Sequence, residues 1–161
     1  MKIEELMARE QVRDRYARYN RAGDKGRLDE LAACFTEHGE LEARDVFTAV
    51  GRRNIADTLS TVSRQLVSQD GAQAVPRRLI VRHFVASLRF DSIAPERIES
   101  SAYFVVFHAD AADHWGTYRD VLVPVGDEWL FERRLVVVEG WRPGSSAITT
   151  SSSTSVGRPE S

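Results

Sequence analysis

Four histidines, at positions 38, 83, 108 and 114, and a single cysteine, Cys34, are the side chains best suited to chemistry near neutral pH. Their spacing excludes some classes at once. The histidines form no H-x-x-x-H or similar pair, and one cysteine can build neither a Cys-based metal site nor an intrachain disulfide. No metal is therefore expected. Cys34 sits in the apolar run Leu31-Ala32-Ala33-Cys34-Phe35, where it reads as a small buried hydrophobe rather than a nucleophile. "GRRNIADT" lacks the Gly-Lys-Ser/Thr ending of a phosphate-binding loop, and no dinucleotide fingerprint occurs, so no cofactor is expected either.

His83 stands apart from the other three. It lies in "RRLIVRHFVASLRF", a stretch rich in β-branched and aromatic residues with no Pro or Gly, which reads as a strand over 78–90. Alternation along that strand puts His83 on one face with Leu79, Val81, Val85 and Ser87. A titratable ring in a mostly apolar row has two readings. It is a core histidine held neutral by one hydrogen bond, or it is a proton-transfer group on the wall of an apolar pocket.

The elements that position it are legible in outline. Residues 2–22 carry Ile3, Leu6, Met7, Tyr16 and Tyr19 at helical spacing, and "AGDKGR" breaks that helix. A short second helix follows with Leu28, Leu31, Ala32 and Phe35 facing inward. "TEHGE" reads as a turn and Glu40–Ala43 as a short strand. After Gly51 a third helix presents Ile55, Leu59, Val62 and Leu66, and "SQDGAQAVP" is a loop. Four strands then run over 78–90, 97–108, 115–124 and 128–139, joined by turns short enough to make antiparallel neighbours. The expected fold class is α+β: three N-terminal helices packed on a curved, mostly antiparallel sheet. Residues 1–142 form one domain, and the Ser/Thr/Gly/Pro-rich segment 143–161 reads as a disordered tail.

Composition narrows the partners. With 22 basic and 24 acidic residues the net charge is −2, and the basic pairs Arg52-Arg53, Arg77-Arg78 and Arg133-Arg134 are scattered. Neither nucleic acid nor an anionic membrane is favoured. No apolar run approaches the ~20 residues that span a bilayer, and the chain opens in a charged helical pattern without a signal peptide. A cytoplasmic protein is expected.

The order "YARYNRAGDKGRLDELAACF", "RHFVASLRF", "SAYFVVF", "GTYRDVLV", "EWLFERRLVVVEGW" resembles the SnoaL-like family of the nuclear transport factor 2-like superfamily, over roughly residues 3–141. The resemblance implies a cone-shaped α+β barrel holding a small, usually apolar molecule. Scytalone dehydratase, a bile-acid 7α-dehydratase, a dehydrochlorinase, polyketide cyclases and dioxygenase small subunits belong to that family. Its lyases pair an Asp after the first helix with a His on the long strand, which here are Asp24 and His83. The resemblance makes His83 the proton shuttle and Asp24 the group that fixes its tautomer. A purely local turn or N-cap role for Asp24 in "GDKG" is the alternative.

Further positions match unevenly. Tyr19, five residues before Asp24, matches a site tyrosine of the bile-acid dehydratase and would donate to the substrate oxygen. His108 matches a second active-site histidine, although it borders the turn "HADAADH". Arg134 resembles a pocket arginine that contacts a departing anion, with a surface arginine paired to Glu132 or Asp120 as the alternative. Phe104 and Tyr118 complete the expected substrate-binding set. Departures stand at Gly23, Ala43, Gly116 and Tyr118, where scytalone dehydratase has two tyrosines, a serine and an asparagine, and at Asn20, where the dehydrochlorinase has a lysine. The resemblance thus implies acid–base chemistry on a small hydrophobic carbonyl- or hydroxyl-bearing molecule, as a dehydratase or other lyase, or as a cyclase or isomerase. It also implies a homodimer through the outer sheet face. A ligand-binding protein, or the small subunit of a ring-hydroxylating dioxygenase, is the alternative.

Overall fold

The computed structural model describes residues 2–69, 81–109 and 111–145. Three helices, α1 (Ile3–Asp24), α2 (Leu28–Ala32) and α3 (Arg52–Gln69), alternate with and precede six strands. These are β1 (Phe35–Ala43), β2 (Phe47–Val50), β3 (Arg82–Ala94), β4 (Arg97–Phe107), β5 (Ala112–Val125) and β6 (Glu128–Trp141). They form one sheet in the order β2-β1-β6-β5-β4-β3. All pairings are antiparallel except β1 with β6. The helices cover one face of this curved α+β sheet, whose edge strands β2 and β3 do not pair, so the expected barrel is open.

Two elements differ from the sequence reading. "TEHGE" is not a turn but lies inside β1, and β2 was not expected. Pairing of β1 with β6 jumps from Phe35↔Phe131 to Glu40↔Arg133, so the extra residues bulge out. Gly39 makes this possible: a Cβ there would stand 2.8 Å from the Phe131 carbonyl oxygen and 2.9 Å from Phe35 Cβ. Phe35 therefore begins a strand instead of closing α2. Of the inward row expected in α3, Ile55 is buried and Leu59 packs on the core, whereas the Leu66 side chain, Leu79 and most of the "SQDGAQAVP" segment lie outside the described residues.

The long strand also corrects a detail. Ser87 and Leu88 together oppose Ala102, and Ser87 has φ +54°. This bulge flips the alternation: His83 and Val85 face the helices, as do Leu88 and Phe90, while Ser87 is exposed. Four cross-strand rows result on the helix-facing side. They run His83–Val106–His114, Val85–Phe104–Gly116, Ala102–Tyr118–Val136 and Phe90–Ser100–Asp120–Arg134. Exposure falls along them, from the partly exposed histidines to a fully buried Arg134.

Candidate active site

The position of Asp24 follows from how α1 stops. Gly26 takes the left-handed conformation (φ +67°), its N–H donates to the Gly23 carbonyl at 3.0 Å, and the Arg27 N–H donates to that of Ala22 at 2.9 Å. This closure leaves Asp24 as the last helical residue. A carboxylate there opposes the helix dipole, at a typical cost of ~0.3–1 kcal/mol. Nor does it cap α2, whose N-cap is Arg27 without a side-chain cap bond. Instead its Oδ1 lies 2.7 Å from His83 Nδ1, and the same carboxylate accepts the His83 backbone N–H at 3.2 and 3.3 Å. An ionised carboxylate only accepts, so Nδ1 carries the proton and Nε2 is left as a base. The two side chains are 10% and 25% exposed, sheltered but reachable by a small molecule.

A second imidazole occupies the same row. His114, two strands from His83 and in register with it through Val106, accepts its orientation from Asp113, whose Oδ2 is 2.8 Å from His114 Nδ1. Asp113 is buried and also accepts the Ser145 hydroxyl at 2.7 Å. The side chains of Arg142 and His108 stand 3.5 and 3.7 Å from its other oxygen. Burial lowers the pKa of His114 below 6.5; the hydrogen bond and charge of Asp113 oppose that shift, and positive charge at His83 and His108 adds to it. The His114 ring meets Phe104 edge-on at 6.1 Å, and Phe104 stacks on Tyr118 at 4.5 Å.

The deep end is filled. Arg134 and Asp120 make two hydrogen bonds, 2.9 and 2.6 Å, with neither side chain exposed. The guanidinium lies over the rings of Tyr16, Tyr19, Tyr118 and Phe131 at 4.1–4.5 Å. Burial works against its charge, but Asp120 more than offsets this, so its pKa is raised and it stays protonated. Burial pushes the Tyr16, Tyr19 and Tyr118 hydroxyls up, so they are donors at every ordinary pH. Tyr118 donates to Asn20 Oδ1 at 3.2 Å, and Asn20 donates to the Tyr16 carbonyl at 2.9 Å. Arg134 Nη1 is buried with no hydrogen-bond partner among the described residues.

The structure thus sorts the expected residues into two groups. Asp24 and His83 meet at the partly exposed end, with His108 beside Asp113 just past the end of β4 and Phe104 below them. Tyr19, Tyr118 and Arg134 meet at the deep end; Tyr19 stands five residues up α1, a rise of ~7.5 Å, among Phe35, Tyr118 and Phe131. Arg134 is not at the surface. Sequence reasoning missed His114 and Asp113, because it began the strand at Trp115 and left them in a turn. The alternating row His114, Gly116, Tyr118, Asp120, Leu122 was the signal that could have extended it. Cys34 is buried, as its apolar run suggests, and burial raises its thiol pKa.

Among the described residues no group of three His, Cys, Asp or Glu side chains could hold a metal ion, and no helix is long and apolar enough to cross a membrane. A separate concavity of about 550 Å³ lies at the far end of the β3–β4 hairpin, lined by Met7, Ile93, Pro95, Pro124 and Trp129 among others. Its lining contains no histidine or cysteine.

The family model of the SnoaL-like domain matches residues 4–135. The chain belongs to the SnoaL-like domain family. Dehydratases, isomerases and cyclases are among the members of this SnoaL-like fold. Solved structures agree on the fold. An NTF2-like protein with a cystatin-like fold from Novosphingobium aromaticivorans is 22% identical, with 90% of this chain and 88% of that one covered at a TM-score of 0.72. LinA is 15% identical, covering 88% and 92% at a TM-score of 0.73. ActVI-ORFA from Streptomyces coelicolor is 24% identical, covering 81% and 96% at a TM-score of 0.64. No curated protein matches the chain in sequence.

Proposed function

We propose that this SnoaL-like protein is an acid–base enzyme, a dehydratase or related lyase, or a cyclase or isomerase. Its substrate is a small hydrophobic molecule bearing a carbonyl or hydroxyl group. The single observation that carries this reading is the 2.7 Å contact of Asp24 with His83 Nδ1, at the partly exposed end of the aromatic-lined, helix-facing side of the curved sheet. Asp24 keeps the proton on Nδ1 and stabilises the imidazolium that forms when Nε2 takes a proton from carbon beside a carbonyl. The same imidazolium can return that proton to a departing hydroxyl. Phe104 and Tyr118 supply the apolar wall. Tyr19 and Arg134 close the polar end behind that wall, with Arg134 Nη1 buried and without a hydrogen-bond partner among the described residues.

A homodimer through the outer sheet face belongs to the same proposal. Phe84, Tyr103, Phe107 and Trp115 are exposed on three adjacent strands there, an apolar patch of the kind that marks a contact surface.

The function is tested with β-tetralone, a small bicyclic ketone, by following exchange of its α-protons in heavy water by NMR. Wild type should accelerate exchange above buffer, and His83→Gln should lose ~10²–10⁴-fold of that acceleration. Exchange at the wild-type rate in a folded His83→Gln protein would leave a ligand-binding or subunit role instead.

A further inference from the structure

We propose that His114, oriented by Asp113, is a second proton-transfer group of this site, working across Val106 from His83. The inference rests on the reading of the Asp24–His83 pair as an acid–base centre, and it adds a partner two strands away on the same face of the sheet. The geometry is that of two matched units. In each, a carboxylate holds Nδ1, at 2.7 Å in one and 2.8 Å in the other, which leaves Nε2 for chemistry. Both imidazoles face the helices in one cross-strand row, and adjacent strands are ~4.8 Å apart, so the two backbones stand roughly 10 Å from each other. That spacing lets one small molecule reach both partly exposed rings beside Phe104, whose ring meets His114 edge-on.

Two proton-handling groups let both proton transfers occur together, where one imidazole must make them in turn. Dehydration of a β-hydroxy carbonyl compound breaks the C–H bond beside the carbonyl, whose electron pair becomes the new C=C bond. It also breaks the C–O bond, whose electron pair leaves on oxygen. The carbon's proton must go to a neutral base, the leaving oxygen must gain one from an acid, and water departs. His83 fits the base, as in the reaction above, with the Asp24 carboxylate to stabilise the imidazolium it becomes. His114 fits the acid, since burial disfavours its charged form and so favours release of its proton to the oxygen, and both exchange protons with solvent between cycles because both are partly exposed. Isomerisation by moving a proton from one carbon to another uses the same two positions.

Asp113 also bonds Ser145 and lies against Arg142, so a purely structural clasp for the end of β6 is the competing explanation. The β-tetralone exchange assay separates the two on the full chain. Under the proposal, His114→Gln loses ~10²-fold or more of the acceleration. His114→Ala loses it too and regains part of it when free imidazole is added, which a missing clasp would not allow. The His114 imidazole signals of wild type also move when β-tetralone is added, a readout that does not depend on any variant folding. If His83→Gln is inactive while His114→Gln exchanges like wild type, or if the wild-type His114 signals ignore the ketone, the role assigned to His114 is wrong and the Asp24–His83 reading stands. If wild type gives no acceleration, or neither variant alters it, the acid–base reading itself falls and the second group with it.

Discussion

Asp24 holds His83 twice, accepting from its backbone N–H at 3.2 Å and from its ring Nδ1 at 2.7 Å. One carboxylate therefore fixes where the strand begins against α1 and which ring nitrogen carries the proton. A histidine needed only for packing requires one bond to any carbonyl. Here the partner is a charge at the unfavourable end of a helix.

The tautomer is directly observable. Nitrogen NMR correlation spectra of wild type should show His83 protonated on Nδ1 in its neutral form. In Asp24→Asn the amide can offer its own N–H to the ring, and the proton should move largely to Nε2. An unchanged tautomer in that variant would show that the carboxylate does not set it.

The deep ion pair is a matter of stability. Arg134→Met leaves Asp120 buried without its partner, and breaking such a pair typically costs ~3–5 kcal/mol. The urea midpoint should fall accordingly. Arg134→Met combined with Asp120→Leu should cost less than Arg134→Met alone, because no charge is then stranded. Equal or greater loss in the double variant would mean the pair contributes more than mutual compensation.

The outer face predicts association. Tyr103 is 62% exposed at the centre of the apolar patch, and Tyr103→Arg should convert a dimer to a monomer in light scattering after size exclusion. Its helix-facing neighbours Ala102 and Phe104 are untouched, so the thermal midpoint per chain should change only through lost association. A wild type that is monomeric at tens of micromolar would remove the dimer from the account.

The pH dependence of stability has a definite sign. The unfolded chain protonates His114 near its ordinary 6.5, whereas the folded protein, chiefly through burial, protonates it only at lower pH. Between those values the unfolded state binds more protons, so this contribution is complete above pH 6.5 and is lost as pH falls through the folded value. Urea midpoints of wild type and His114→Gln should run parallel above pH 6.5 and converge or cross below it, with wild type losing more. Curves that stay parallel throughout would show that the fold does not disfavour the charged ring.

Much of this arrangement was legible in the residues. The helical spacing of Tyr16 and Tyr19, the glycine stop after Asp24 and the β-branched run around His83 each act locally, so local sequence carries them. Non-local features were hidden. The parallel pairing of β1 with β6 depends on a bulge at Gly39, whose need for a missing Cβ arises from Phe131, distant in sequence. The bulge at Ser87 moved that residue off the face of His83, because two residues there oppose one on β4. Ser145, assigned to the tail, is buried on Asp113, while 146–161 lie outside the described residues. His114 was overlooked for the same reason: its importance comes from the strand register that sets it opposite His83.

The most direct test of the central claim is a double-variant cycle on β-tetralone exchange, with rates counted per folded molecule. His83→Gln and Asp24→Asn should each lower the rate, and the combined variant should be little worse than His83→Gln alone, since both act through one imidazole. Independent, multiplying losses would contradict the claim that Asp24 works through His83, and wild-type rates in both single variants would contradict the proton-transfer role altogether.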